Sequence, residues 1–131
     1  MALIVLDASV LIALLDPTDA LHSAAADALR QHAADDLRIP AAAYAECLVG
    51  PARRRRLQEA KAAIGSLMAE LVDLTEEIAE EAAGLRARHR ALRLPDAIVI
   101  ATGDVLEADA ILTGDARWRR ISRRVRMLQA P

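Results

Sequence analysis

Aromatic side chains are nearly missing from this chain: it has no phenylalanine, one tyrosine (Tyr44) and one tryptophan (Trp118). That excludes a protein holding nucleic acid on base-stacking platforms; such a partner would be held by its backbone. Cys47 is the lone cysteine, which rules out an internal disulfide and fits a reducing compartment, so a cytoplasmic location is expected. No apolar run approaches the roughly 20 residues of a membrane span. The opening MALIVLD has neither a basic leader nor a cleavage site. Glycine is missing from DASVLIAL, the segment after the first apolar run, so a nucleotide-binding phosphate loop is excluded there. Lysine is scarce too: Lys61 is the only one, and arginine supplies the other basic side chains.

The length, 131 residues, is enough for one domain with a core and too short for two. A hydrophobic fraction of 54% with 27% charged residues suits a folded globular chain. The net charge is only −2, yet the arginines are clustered at Arg53–Arg56, at residues 86–93 and at residues 117–126. A solvated helix face accounts for any one cluster. Three in one acidic protein point to a phosphate-bearing partner, because the planar guanidinium fork matches phosphate oxygens.

Apolar runs without helical period predict strands at 2–6, 37–40, 70–74, 110–113 and 125–128. Helices are predicted between them: 8–15, about 19–35 with Thr18 or Asp19 as cap, 41–49, a long helix to about 69, about 75–92, and 95–107 opened by Pro95. Gly50-Pro51 is read as the break between the third and fourth helices. Because the strands are continuous apolar runs alternating with helices, the expected fold class is α/β. It is a parallel twisted sheet of about five strands covered by helices on both faces, forming one domain over residues 1–131.

In such sheets ligands sit beyond the carboxyl ends of the strands. Asp7 follows the first strand directly, and Asp115 follows the 110–113 strand by two residues. Asp96 lies in the first turn of a helix, and Glu46 lies in the apolar run AAAYAECLV. Each has a plain alternative: Asp7 and Asp96 as helix-opening residues, Asp115 as a turn residue. Glu46 is harder to dismiss, since a buried carboxylate needs a positive partner and Lys61 is remote in sequence. Four acids at one edge would repel one another unless a divalent cation sat among them. An all-oxygen donor set favours Mg²⁺ or Mn²⁺ over Zn²⁺. Such an ion would activate a water and stabilise charge at phosphorus. Asp7, Asp96 and Asp115 are the expected metal ligands, with Glu46 as a further ligand or as the group orienting the water. Ser9 is either a helix-end cap or a partner of a carboxylate or metal-bound water, and Thr113 is read as structural. Asp104, two turns after Asp96, is a surface residue or an outer contact of the metal, and Asp109 is a loop residue. His22, His32 and His89 share no mutual spacing, and Cys47 is read as a small buried apolar residue.

The stretches IVLDASVLIALL, YAE, LPDAIVIATG and ILTGD, with Trp118 three residues beyond, resemble the PIN domain over nearly the whole chain. In length and layout they are similar to the VapC-type toxins of bacterial toxin–antitoxin pairs. The resemblance implies an Mg²⁺- or Mn²⁺-dependent endoribonuclease with an acidic quartet at Asp7, Glu46, Asp96 and Asp115 and a hydroxyl position at Ser9. It implies an RNA substrate, a cognate antitoxin protein that silences the enzyme, and a homodimer. Gly103-Asp104 departs from the family pattern, which more often has a small or apolar helical pair there. A phosphoryl-accepting signalling domain is disfavoured, because Ala8 rather than a second acid follows Asp7 and Lys61 is misplaced. A haloacid-dehalogenase-type phosphatase would need an aspartate at Ser9. The remaining rival is a catalytically inactive PIN-like module that binds RNA or a partner protein.

Overall fold

The computed structural model describes residues 1–129. Its strands are β1 (Leu3–Leu6), β2 (Asp36–Pro40), β3 (Glu70–Val72), β4 (Ala110–Thr113) and β5 (Val125–Met127). All neighbours pair in parallel, in the order β3-β2-β1-β4-β5. Among the described residues the connections are α1 (Ala8–Leu15), α2 (His22–Gln31), α3 (Ala41–Arg53), α4 (Leu57–Gly65), α5 (Glu76–Arg88) and α6 (Leu94–Val105). A short 3₁₀ helix (Ala116–Arg120) leads into β5. The parallel five-stranded α/β fold expected from the apolar runs is the one found.

Central β1 pairs Val5 with Arg38 of β2 on one side and with Ile111 of β4 on the other. Ile4, Val5, Leu6, Ile111 and Leu112 are all buried, as a strand covered on both faces requires. Edge strand β3 is short and exposes Glu70, whose carboxylate reaches Arg38 Nε at 3.5 Å. A short charged edge resists pairing with another chain. The chain turns from β1 toward β2 on one side and returns to β4 on the other. The crevice past the carboxyl ends of β1 and β4 is therefore the topological switch point. No helix among the described residues is long and apolar enough to cross a membrane.

Several helix limits differ from the sequence expectation, for local reasons. The Gly50-Pro51 break is not there: Pro51 lies inside the last turn of α3, where its missing N–H forfeits a single helical bond. The helix stops at Arg55, whose φ is 57°. Arg56 N–H donates to Pro51 O at 2.8 Å and Arg55 N–H to Ala52 O at 3.2 Å, the paired bonds of a left-handed C-terminal cap that usually holds glycine. Glu107, φ 52°, closes α6 in the same way, with Ala108 N–H on Gly103 O at 2.9 Å. Helix α2 starts late because Asp16 and Asp19 turn their carboxylates onto the backbone N–H groups of Thr18 and Leu21. Side chains that satisfy local backbone this way compete with helix. Helix α5 ends at Arg88, and Arg86 donates to Arg90 O at 2.9 Å and Leu92 O at 2.7 Å, holding the loop into α6.

Candidate active site

Asp7 leaves β1 with extended backbone and caps α1, its Oδ1 accepting from Ala8 N–H at 2.7 Å. Its Oδ2 accepts from Ser9 Oγ at 2.7 Å and from Thr113 Oγ1 at 2.8 Å. The two hydroxyls also staple β1 to β4. Ser9 Oγ accepts from Gly114 N–H at 2.9 Å, and Thr113 Oγ1 accepts from Asp115 N–H at 3.0 Å. Thr113, read from sequence as structural, therefore touches Asp7 directly. Burial pushes the Asp7 carboxyl above its ordinary range; the Ser9, Thr113 and Ala8 donors pull it partly back, and the charge of Asp96 raises it further. A buried carboxylate stays tolerable only while such donors hold it. Thr113→Val, which keeps shape and removes one donor, is expected to cost about 1–3 kcal/mol at neutral pH. The loss should shrink in acid, where a protonated Asp7 has less need of a donor; urea titrations at neutral and acidic pH measure both.

Asp96 is buried in the first turn of α6, behind Pro95, where the free N–H groups of the helix start favour an anion. Arg93, three residues earlier, lays its guanidinium across it, Nη2 at 3.3 Å from Oδ1 and Nε at 3.4 Å from Oδ2. The same Nη2 lies 3.4 Å from Glu46 Oε2. Glu46 is thus not the unpaired buried acid its apolar neighbours suggested. Its side chain is 31% exposed and its positive partner is Arg93, from the loop between α5 and α6. Asp115 caps the 3₁₀ helix, accepting from Arg117 N–H at 2.9 Å. Arg117 also forks onto it, Nη2 on Oδ2 at 2.7 Å and Nε on Oδ1 at 3.0 Å. That fork holds the Asp115 carboxyl below its ordinary range.

Asp7 thus lies within electrostatic reach of Asp96, Glu46 and Asp96 share Arg93, and Asp115 lies on the β4 side within electrostatic reach of Arg93. Among the described residues, however, no three acidic, histidine or cysteine side chains close around a common point where an ion could sit. The donor chemistry, carboxylate and hydroxyl oxygens alone, fits a hard divalent cation. The arginine rotamers do not: Arg93 and Arg117 supply the positive charge there. Sequence reading placed Arg93 only within the 86–93 arginine cluster, as part of a solvated face or a phosphate grip. Its spacing of three from Asp96 across a helix start was the available signal.

Asp104 does not join this group. At the far end of α6 its carboxylate accepts from Ser122 Oγ at 2.8 Å and pairs with Arg124 Nε at 3.5 Å. Asp109 serves the opposite edge of the sheet, accepting from Leu3 N–H at 2.8 Å. Cys47 is buried, and burial pushes its thiol up to about 11, far from a reactive thiolate. A pocket of about 280 Å³ opens beside Asp96 and Asp115, walled by Arg90, Arg93, Arg117 and Arg120 over Leu92 and Trp118.

Residues 4–124 match the PIN domain, and the chain belongs to the PIN domain family. Within that family its fold is the one seen in VapC-like toxins. A toxin–antitoxin complex from Klebsiella pneumoniae superposes with a TM-score of 0.79 at 22% identity, covering 97% of this chain and 98% of that one. FitAcB from Neisseria gonorrhoeae gives 0.76 at 19% identity, with 97% of each chain covered. VapC20 of Mycobacterium tuberculosis, a sarcin–ricin loop cleaving toxin, gives 0.71 at 20% identity, over 89% of this chain and 93% of that one. A comparison with curated proteins gives no match.

Proposed function

We propose that this protein is a divalent-metal-dependent endoribonuclease and the toxin of a toxin–antitoxin pair, acting in the cytoplasm. What supports the reading is the position of Asp7 after β1 and of Asp115 after β4, at the switch point, with Asp96 and Glu46 joined through Arg93. Membership of the PIN domain family, whose members are typically nucleases, supports it. Asp7, Asp96 and Asp115 would hold the Mg²⁺ or Mn²⁺. When bound, the ion supplies a water of lowered pKa and positive charge at the attacked phosphorus.

The chain's own groups do the rest. Ser9 and Thr113 fix the Asp7 carboxylate in one orientation, so its charge is already aimed when substrate arrives. Glu46, more exposed by side chain than Asp96 or Asp115, completes the site as a ligand or accepts a proton from the attacking water. Arg90, Arg93, Arg117 and Arg120, beside Asp96 and Asp115, draw the RNA backbone to the same edge. A toxin–antitoxin complex among the similar structures favours a cognate antitoxin as protein partner, and the resemblance to VapC-type toxins adds a homodimer as the expected assembly.

The test is incubation with total RNA in Mg²⁺ or Mn²⁺, with and without a chelator, followed by mapping of the cut ends. Cleavage should vanish with chelator. It should leave plain phosphate and hydroxyl ends, because water rather than the ribose 2′-hydroxyl is the nucleophile. Metal-independent cutting or accumulation of 2′,3′-cyclic phosphate would contradict the mechanism. Absence of any cutting, together with retained RNA binding, would favour the inactive binding module.

A further inference from the structure

Two of the three arginine clusters, which sequence leaves as separate runs, meet at one place. Arg90 and Arg93 from the α5–α6 loop face Arg117 and Arg120 from the 3₁₀ helix across the pocket beside Asp96 and Asp115. Its floor includes Trp118, only 2% exposed and so unable to stack on a base. With His89 the one other ring beside these guanidinium groups, the wall suits phosphate more than nucleobase.

Arg93 and Arg117 line that pocket together with Asp96 and Asp115. Arg93 touches Asp96 and Glu46 only at 3.3–3.4 Å, and its side chain is 63% exposed. Arg117 grips Asp115 more closely, yet is 81% exposed. Exposed pairs of this kind are weakly held and readily exchanged. Together the two guanidinium groups bring two positive charges, the number a divalent ion would bring. Each guanidinium already borders the pocket while it pairs with a carboxylate, and N–H donors spent on a carboxylate are not free for a phosphate.

We propose that Arg93 and Arg117 exchange partners: they neutralise the carboxylates in the resting protein, and turn to grip RNA phosphates in the adjoining pocket when the carboxylates hold the ion. This rests on the metal-dependent nuclease reading above and adds the coupling. Ion binding frees the guanidinium groups for RNA, and RNA draws them off the carboxylates. By linkage, each ligand tightens the other by the same factor. Arg93 and Arg117 are then substrate-gripping residues whose resting contacts are self-inhibitory.

Two binding measurements test this without reading activity. Calorimetry gives the Mn²⁺ affinity of the full chain and of the Arg93→Gln and Arg117→Gln variants, without RNA. Fluorescence anisotropy gives their affinity for a short phosphorothioate single-stranded RNA, with and without Mn²⁺; thermal unfolding verifies that each variant is folded. With the competing guanidinium removed, each variant should bind Mn²⁺ about tenfold more tightly, the equivalent of one charge-assisted hydrogen bond. Each should also bind RNA more weakly and lose most of the Mn²⁺ enhancement seen in the parent. Equal or weaker Mn²⁺ binding by both variants, with the parent binding Mn²⁺, overturns the exchange and leaves the nuclease reading standing. No Mn²⁺ uptake by any of the three overturns both. Uptake by the variants alone supports the exchange most strongly.

Discussion

Asp7→Asn is expected to cut RNA at least about 100-fold more slowly than the parent chain, since even outer partners of a metal ligand typically contribute 10–100-fold. The amide keeps the shape of the carboxyl and an oxygen for Ala8 N–H, while Ser9 and Thr113 can rotate their hydroxyls to accept from its NH₂. What it loses is the charge on which the proposed ion would sit. Stability should move the other way. In the folded chain the Asp7 carboxyl is raised above its ordinary value of 3.8, chiefly by burial. Unfolding therefore releases a proton between the ordinary and the raised value, so the penalty from Asp7 is absent in strong acid. It grows as pH rises through that window and persists above it. The asparagine variant should melt at the same temperature as the parent or higher at neutral pH, and lose that advantage below the ordinary carboxylate range. A folded variant that cuts at the parent rate would end the assignment of Asp7 to the site. A variant that fails to fold would make Asp7 first of all a structural cap.

Gly103→Val should leave little folded protein, and Gly103→Ala should lose about 1–3 kcal/mol, the usual cost of overpacking a core. Helix propensity alone argues the opposite, since glycine inside a helix costs about 1 kcal/mol relative to alanine. Here α6 lies so close to β4 that a Cβ on Gly103 would stand 2.3 Å from Ile111 Cγ1 and 2.4 Å from Cδ1. A side chain at this position therefore meets Ile111 before it can contribute to the helix. Ile111→Ala alone should cost about 2–5 kcal/mol by opening a cavity. Combined with Gly103→Ala the losses should fall well short of their sum, because each change fills or relieves what the other created. Strictly additive losses in urea titrations would show that the two residues do not press on each other. Because α6 carries Asp96 at its other end, Gly103→Ala should also slow cleavage by shifting Asp96 relative to Asp7.

The sheet was legible because burial on both faces writes itself as unbroken apolar runs, as in Ile4–Leu6 and Ile111–Leu112, and these need no partner to be recognised. Two of the acids could be placed on the fold for a related reason: Asp7 comes directly after one such run and Asp115 two residues after another, at the end of the sheet where ligands collect. Helix ends were not. Arg55 and Glu107 hold left-handed caps that sequence rules assign to glycine, so nothing in the residue types marks the stop. Pro51 looked like a break because the rule treats every proline as interior, whereas one in a final turn forfeits little. Pairing across elements was also invisible. That Arg93 reaches Glu46, 47 positions away, depends on how α3 lies against α6. Thr113 was undervalued because its hydroxyl acts on Asp7 across the sheet as well as on its neighbour Asp115.

The central claim is that the acids at the β1–β4 edge are gathered to hold a doubly charged ion. Anomalous diffraction from crystals grown in Mn²⁺ tests it most directly. The account predicts one strong manganese peak in direct contact with carboxylate oxygens of Asp7, Asp96 or Asp115, with the Arg93 guanidinium displaced from Asp96. A fully occupied lattice showing no manganese between these carboxylates, with Arg93 still spanning Asp96 and Glu46, would contradict it.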